Sequence, residues 1–164
     1  MNEKLAETLW TTGAGYAAAA RILTEEARRD ATVRGEDADE LAFNGMLSAS
    51  THLLVGFGFE LLLKAAFLCL GGDYDLLVKK VRHDLVLALD GAQSVGFSIR
   101  PGLRGILEGL REPHLAHHFR YGGPDSIMMP ALDQTLPALD TLTRDVGALI
   151  HGWSSDPPAQ SREG

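Results

Sequence analysis

Three histidines and four arginines crowd the stretch from Arg100 to Arg120: Arg100, Arg104, Arg111 and Arg120 with His114, His117 and His118. Only Glu108 and Glu112 oppose them, so the stretch carries a formal +2 in a chain of net charge −7. Imidazole can give or take a proton near neutral pH, and guanidinium can stabilise charge that develops on a phosphate. On that chemistry a histidine of the cluster would be an acid–base group and a neighbouring arginine a phosphate ligand. A milder use is an anion site held by charge-assisted hydrogen bonds, with Arg104, Arg120, Tyr121 and His114 as its ligands. Arg104 and Arg111 lie two helical turns apart and face the same way. Against both stands a plainer reading, in which the arginines pair with nearby acids and the histidines pack and bond locally. The histidine spacing matches no zinc pattern, and no cysteine or aspartate completes a ligand set, so neither metal nor cofactor is expected.

A second group sits in and after the apolar run His52–Gly72: Glu60, Lys64, His83 and Asp84. Glu60 stands four residues before Lys64, the favourable order for a pair on one helix face. Buried charge costs several kcal/mol unless paired, so Glu60 and Lys64 should bond each other, or His83 or Arg120. Asp84 is placed to cap a helix, worth about 0.5–2 kcal/mol. His83 can reach Glu60 on the long helix. This group reads as structural, with a pocket lined by Glu60, His83 and Tyr121 as the functional alternative. His52 reads as a satisfied core histidine, and His151 as favouring a helix dipole. Gly56 and Gly58 each cost roughly 1 kcal/mol inside a helix, which the close approach of another helix would explain. No P-loop, dinucleotide fingerprint, nucleophile elbow or metalloprotease motif is present.

The elements that must hold these residues are helical. Leu5, Leu9, Tyr16, Ala20 and Leu23 recur at helical spacing between Glu3 and about Asp30. Gly35-Glu36-Asp37 marks a turn, and a second helix is expected from Ala38 to Leu70, stopped by Gly71-Gly72. Residues 53–70 are long enough for a membrane span, but Glu60 and Lys64 near the centre argue instead for the central helix of a bundle. A short helix over Tyr74–Val81 follows, then one opened by His83 or Asp84 and ended by Gly96. Pro101 fits the first turn of another, which Pro113 should stop near Arg111. Residues 112–129 read as an irregular loop. A final helix spans Pro130–Trp153, with Leu132, Leu136, Leu139, Val146, Leu149, Ile150 and Trp153 buried. Pro137 either kinks it or marks its first turn, with Thr135 as cap. The expectation is an all-α, antiparallel helical bundle, two long helices plus shorter ones and a long C-terminal helix. It forms one domain, 1–153, followed by a polar, disordered tail, 154–164.

At 164 residues the chain can bury a core without staples, and its 45% hydrophobic and 23% charged residues are those of a soluble globular protein. The net charge opposes broad, non-specific binding to nucleic acid or anionic membrane. Cys69, the single cysteine, permits no intrachain disulfide. The N-terminus lacks the features of a signal peptide, and a cytoplasmic protein is expected.

Three segments in order resemble the HEPN family of helical-bundle proteins: Gly58-Phe59-Glu60-Leu61-Leu62-Leu63-Lys64-Ala65, His83-Asp84-Leu85 and Arg120-Tyr121-Gly122. The likeness covers roughly residues 40–150. It implies a helical bundle that forms a homodimer or pairs with a nucleotidyltransferase-type partner. Many members are metal-independent endoribonucleases, often toxins, with an Arg-x(4–6)-His motif at a dimer interface. Arg111-x5-His117 matches that motif, as does Arg111 with His118. Glu112 stands where the family carries a polar residue such as asparagine and would repel phosphate; Pro113 follows it. The favoured expectation is therefore a non-catalytic interaction or small-ligand module, with the ribonuclease, and RNA as its substrate, as the alternative.

Overall fold

Helix α1 (Asn2–Arg34) runs through its alanines until Gly35 takes a positive φ of 70°. A computed structural model describes residues 2–121 and 127–152 of the chain, the Tyr121 side chain excepted. Gly122, Gly123, Pro124, Trp153 and the expected tail 154–164 lie outside the described residues. The buried stripe of α1 is Ala6, Gly13, Ala17, Ala20, Thr24, Ala27 and Ala31. Of the apolar positions expected there, Ala20 is enclosed, whereas Leu5, Leu9, Tyr16 and Leu23 are half-buried. Small side chains on this stripe let α1 press against α3 (Ser48–Cys69). A Cβ on Gly13 would stand 3.0 Å from Leu62 Cγ and 3.3 Å from the Gly58 carbonyl oxygen.

The single helix expected from Ala38 to Leu70 is in fact two. Helix α2 (Ala38–Asn44) is capped by Asp37, whose carboxylate accepts from the Asp39 and Glu40 amides. It ends at Gly45, where the backbone becomes extended and a Cβ would strike the Leu41 carbonyl. Helix α3 is enclosed by α1, α5, α6 and α8. It is long and apolar enough to cross a membrane by length and composition, yet 67% of its most apolar window is buried within the bundle.

Helix α4 (Tyr74–Leu76) continues into a π-helical turn, Leu77–Val81, which ends at Arg82. Asp84 then caps α5 (Leu85–Ser94), as the sequence leads one to expect. Helix α6 (Leu103–Leu115) departs from expectation at both ends. It starts after Gly102, whose φ is 87°, so Pro101 lies ahead of its first turn; it then passes straight through Pro113. The Pro113 ring removes the amide that would bond the Gly109 carbonyl. The extra turn nevertheless carries His114 into the core, where it is 3% exposed. Part of the expected irregular loop is thus the end of α6 and the short α7 (His118–Tyr121).

Helix α8 (Leu132–His151) begins without a side-chain cap. Pro137 lies inside it, and Thr135 is buried within it with Oγ1 unpartnered among the described residues, so a start with Thr135 as cap is not the one found. Leu132, Leu136, Leu139 and Val146 are buried as expected, while Leu149 and Ile150 are half-buried. No strand occurs among the described residues, and the chain is an all-α helical bundle.

The α1–α3 packing has a direct test in chemical denaturation. Gly13→Ala should lower stability by ~1–3 kcal/mol, because a methyl there must push into Leu62 and the α3 backbone. Gly15→Ala, two residues along in open space, should raise it by ~0.5–1 kcal/mol.

Candidate functional site

Glu60 sits midway along α3 with only 2% of its surface exposed. A lone carboxylate there would cost several kcal/mol. Side chains from three segments satisfy it. Lys64, one turn further along α3, places Nζ 2.6 Å from Oε1. His114, in the last turn of α6, places Nε2 2.8 Å from Oε2. His83, in the turn ahead of α5, shares Nδ1 between both oxygens at 3.2 Å. Lys64 also donates to the Arg82 carbonyl, so one ammonium ties the acid and the His83 turn together.

Burial, the largest single influence, pushes the Glu60 carboxyl up. Hydrogen bonds from His114 and Lys64, with the charges of Lys64 and His83, outweigh it and hold the group at about 2, against an ordinary 4.5. An ionised carboxylate can only accept, so His114 donates from Nε2 and His83 from Nδ1. The His83 side chain is 46% exposed, and Nε2 is the ring nitrogen left turned away from Glu60.

Gly56 explains how α6 comes so near. It lies one turn before Glu60 on the same face, and a Cβ there would run into Nδ1 of His114. Phe57 meets both rings edge-on, with centroids 5.1 Å from His114 and 6.4 Å from His83. Gly58, by contrast, makes room for Leu139 of α8 at 3.1 Å.

Beside this cluster Asp84 does two jobs. It accepts from the Val86 and Leu87 amides as the α5 cap, and it holds Arg111 through Nε at 3.0 Å and Nη2 at 2.6 Å. Burial raises the Asp84 carboxyl, but Arg111 and the two amides prevail and hold it below the usual carboxylate range. Helix α6 is therefore fastened twice to one turn: Arg111 on Asp84, and His114 through Glu60 to His83.

The basic stretch accordingly carries few uncommitted charges. Arg104 bonds Asp90 at 2.6 Å and Gln93 at 2.9 Å, and Arg100 grips both oxygens of Asp145. Arg104 and Arg111 do share a face, and it is the face turned to α5. Arg120 is exposed and its charge acts on His117. His114, placed from sequence among anion ligands, is the buried partner of Glu60. His117 and His118 are half-buried, and Nδ1 of His118 has no partner among the described residues. The His117 ring meets His83 edge-on at 5.4 Å. Burial first, then the charges of His83, Arg120 and His114, lower the His117 pKa. His52 donates from Nε2 to the Phe43 carbonyl at 3.1 Å, as a satisfied core histidine should. Among the described residues no cluster of three or more His, Cys, Asp or Glu is placed to hold a metal ion.

Two further features have no counterpart in the sequence reading. Arg82 adopts φ 49° and ψ −111°, a conformation that suits glycine, and His117 has φ 56°. Among the described residues these are the non-glycine positions of positive φ; Arg82 directly precedes one of the two touching rings and His117 carries the other. The π-helical turn runs directly into Arg82. Strained backbone and π-helical turns gather at functional sites, which makes the His83–His117 corner the candidate site of this bundle. Gly56, one turn from Glu60, was the sequence signal for the close approach of His114 and carried none for this corner.

No protein-family model, curated protein or solved structure matches this chain. Its class is defined by fold and site together, an all-α helical bundle built round a buried, ionised glutamate.

The Glu60 carboxyl is depressed from 4.5 to about 2, so its stabilisation is complete above pH 4.5 and is lost as pH falls toward 2. Through this group alone the chain should lose about 3 kcal/mol across that window. Urea unfolding over a pH series should show Glu60→Gln destabilised by ~3–5 kcal/mol at pH 7 and flatter than wild type on the acid side.

Proposed function

We propose that the chain is a HEPN-like antiparallel bundle serving as a non-catalytic interaction or small-ligand-binding module, cytoplasmic and homodimeric. The observation that carries this reading is Arg111. The guanidinium that a nuclease of this type would aim at phosphate is bound to Asp84 by three hydrogen bonds. His114 is likewise committed, to Glu60, and the net charge of −7 disfavours RNA as a partner. A second copy of the chain is the first partner to seek, and a nucleotidyltransferase-type protein the second.

The His83–His117 contact favours one other reading, a metal-independent endoribonuclease. His83 is oriented by a buried carboxylate and His117 is held toward its neutral form, so the two rings could act as acid and base on a phosphodiester. Arg111, His117 and His118 would then be the catalytic residues, with His83 beside them.

Incubation of purified protein with mixed RNA in EDTA separates the readings. The module predicts no cleavage, and Arg111→Ala should lower the melting temperature because it leaves Asp84 unpaired. Cleavage that disappears in both Arg111→Ala and His117→Ala would overturn the module and establish the nuclease.

A further inference from the structure

Arg82 stands out among the arginines. Those of α1 and α6 each hold a carboxylate, whereas the Arg82 side chain is exposed and has no hydrogen-bond or ion-pair partner among the described residues. It borders a groove of about 330 Å³ between α1, α3 and the segment from Tyr74 to His83. The walls are apolar: Leu5, Leu9, Leu61, Leu77, and also Tyr74 and Val78, which are 46% and 53% exposed. Lys64, Arg82 and His83 supply its polar side.

The charges on that side do not cancel. Lys64 is neutralised by Glu60, so the guanidinium of Arg82 is left as the excess positive charge. His83, with Nδ1 committed to Glu60, borders the groove beside it. The chain keeps an arginine at a backbone conformation where glycine would be relaxed, which sets this cation against the groove at a cost to stability.

We propose that this groove binds a small amphipathic carboxylate. Its apolar chain lies along Leu9, Leu61, Leu77 and Val78, and its carboxylate sits on Arg82. A planar guanidinium suits a carboxylate, which can take two parallel hydrogen bonds from it. At roughly 30 Å³ per heavy atom the groove has room for about eleven, close to the size of a medium-chain fatty acid. The inference rests on the binding-module reading and supplies its ligand class.

The test is calorimetric titration of the full chain with sodium decanoate below its micelle concentration, against decyltrimethylammonium as a cation of equal chain length. The expected result is one saturable site for decanoate and none for the cation. Arg82→Gly should weaken decanoate at least about tenfold, the loss of one charge-assisted contact, while raising the melting temperature because glycine accepts this backbone. That opposite movement of binding and stability is not what a structural role would give. Val78→Glu, at an exposed position, should also abolish binding. Equal affinity for both head groups, unchanged binding in Arg82→Gly, or no decanoate binding would each overturn the proposal. A dimer that takes up no decanoate and that Val78→Glu splits would assign the groove to a second copy, overturning it too. RNA cleavage in EDTA would refute the module without touching the groove. Failed decanoate binding with no RNA cleavage would refute the groove alone.

Discussion

A carboxylate buried halfway along an apolar helix has to be satisfied from outside that helix, and this bundle is arranged around doing so. Glu60 cannot keep its charge at 2% exposure without donors, and Lys64 on its own helix supplies only part of the need. The rest comes from His114 on α6 and His83 ahead of α5. Other features of the fold follow from that demand. Gly56 clears space for the His114 ring, α6 continues through Pro113 to deliver it, and Arg111 locks the same helix onto Asp84 one residue from His83.

The same arrangement produces the site. Once Nδ1 of His83 is spent on Glu60, the ring has one defined orientation and its other nitrogen points elsewhere. His117 packs edge-on against it, Arg82 holds an uncompensated charge next to it, and both of those residues sit in backbone conformations that cost energy. One carboxylate thus serves both the frame and the candidate site. The inner side fastens three segments, and the outer side presents an imidazole and a guanidinium at the edge of an apolar groove.

Much of this frame was legible from local chemistry. Asp84 as a cap, Gly35-Glu36-Asp37 as a turn, the Glu60–Lys64 spacing and the apolar run of α3 depend on residues a few places apart, and each stands as read. The reach of His83 to Glu60 was likewise open to inference, because a buried acid needs a donor and a histidine stood at the next helix start. What escaped depends on distant partners. Pro113 taken alone ends a helix, and only the bonds made by His114 show why it does not. Gly45 broke what periodicity read as one helix. That the arginines between Arg100 and Arg111 pair with acids was one of the two readings open from sequence, but which acids, Asp145, Asp90 and Asp84, was not legible because they come from elsewhere in the chain. No periodicity or motif announces the strained backbone at Arg82.

The central claim is that Glu60, ionised, is held at once by His114 and His83. Long-range proton–nitrogen correlation NMR of the histidine side chains reads this directly near neutral pH, because it reports which ring nitrogens carry protons. A proton on Nε2 of His114 and on Nδ1 of His83 is the predicted result. A neutral His83 protonated on Nε2, or a His114 whose Nε2 carries no proton, would contradict it.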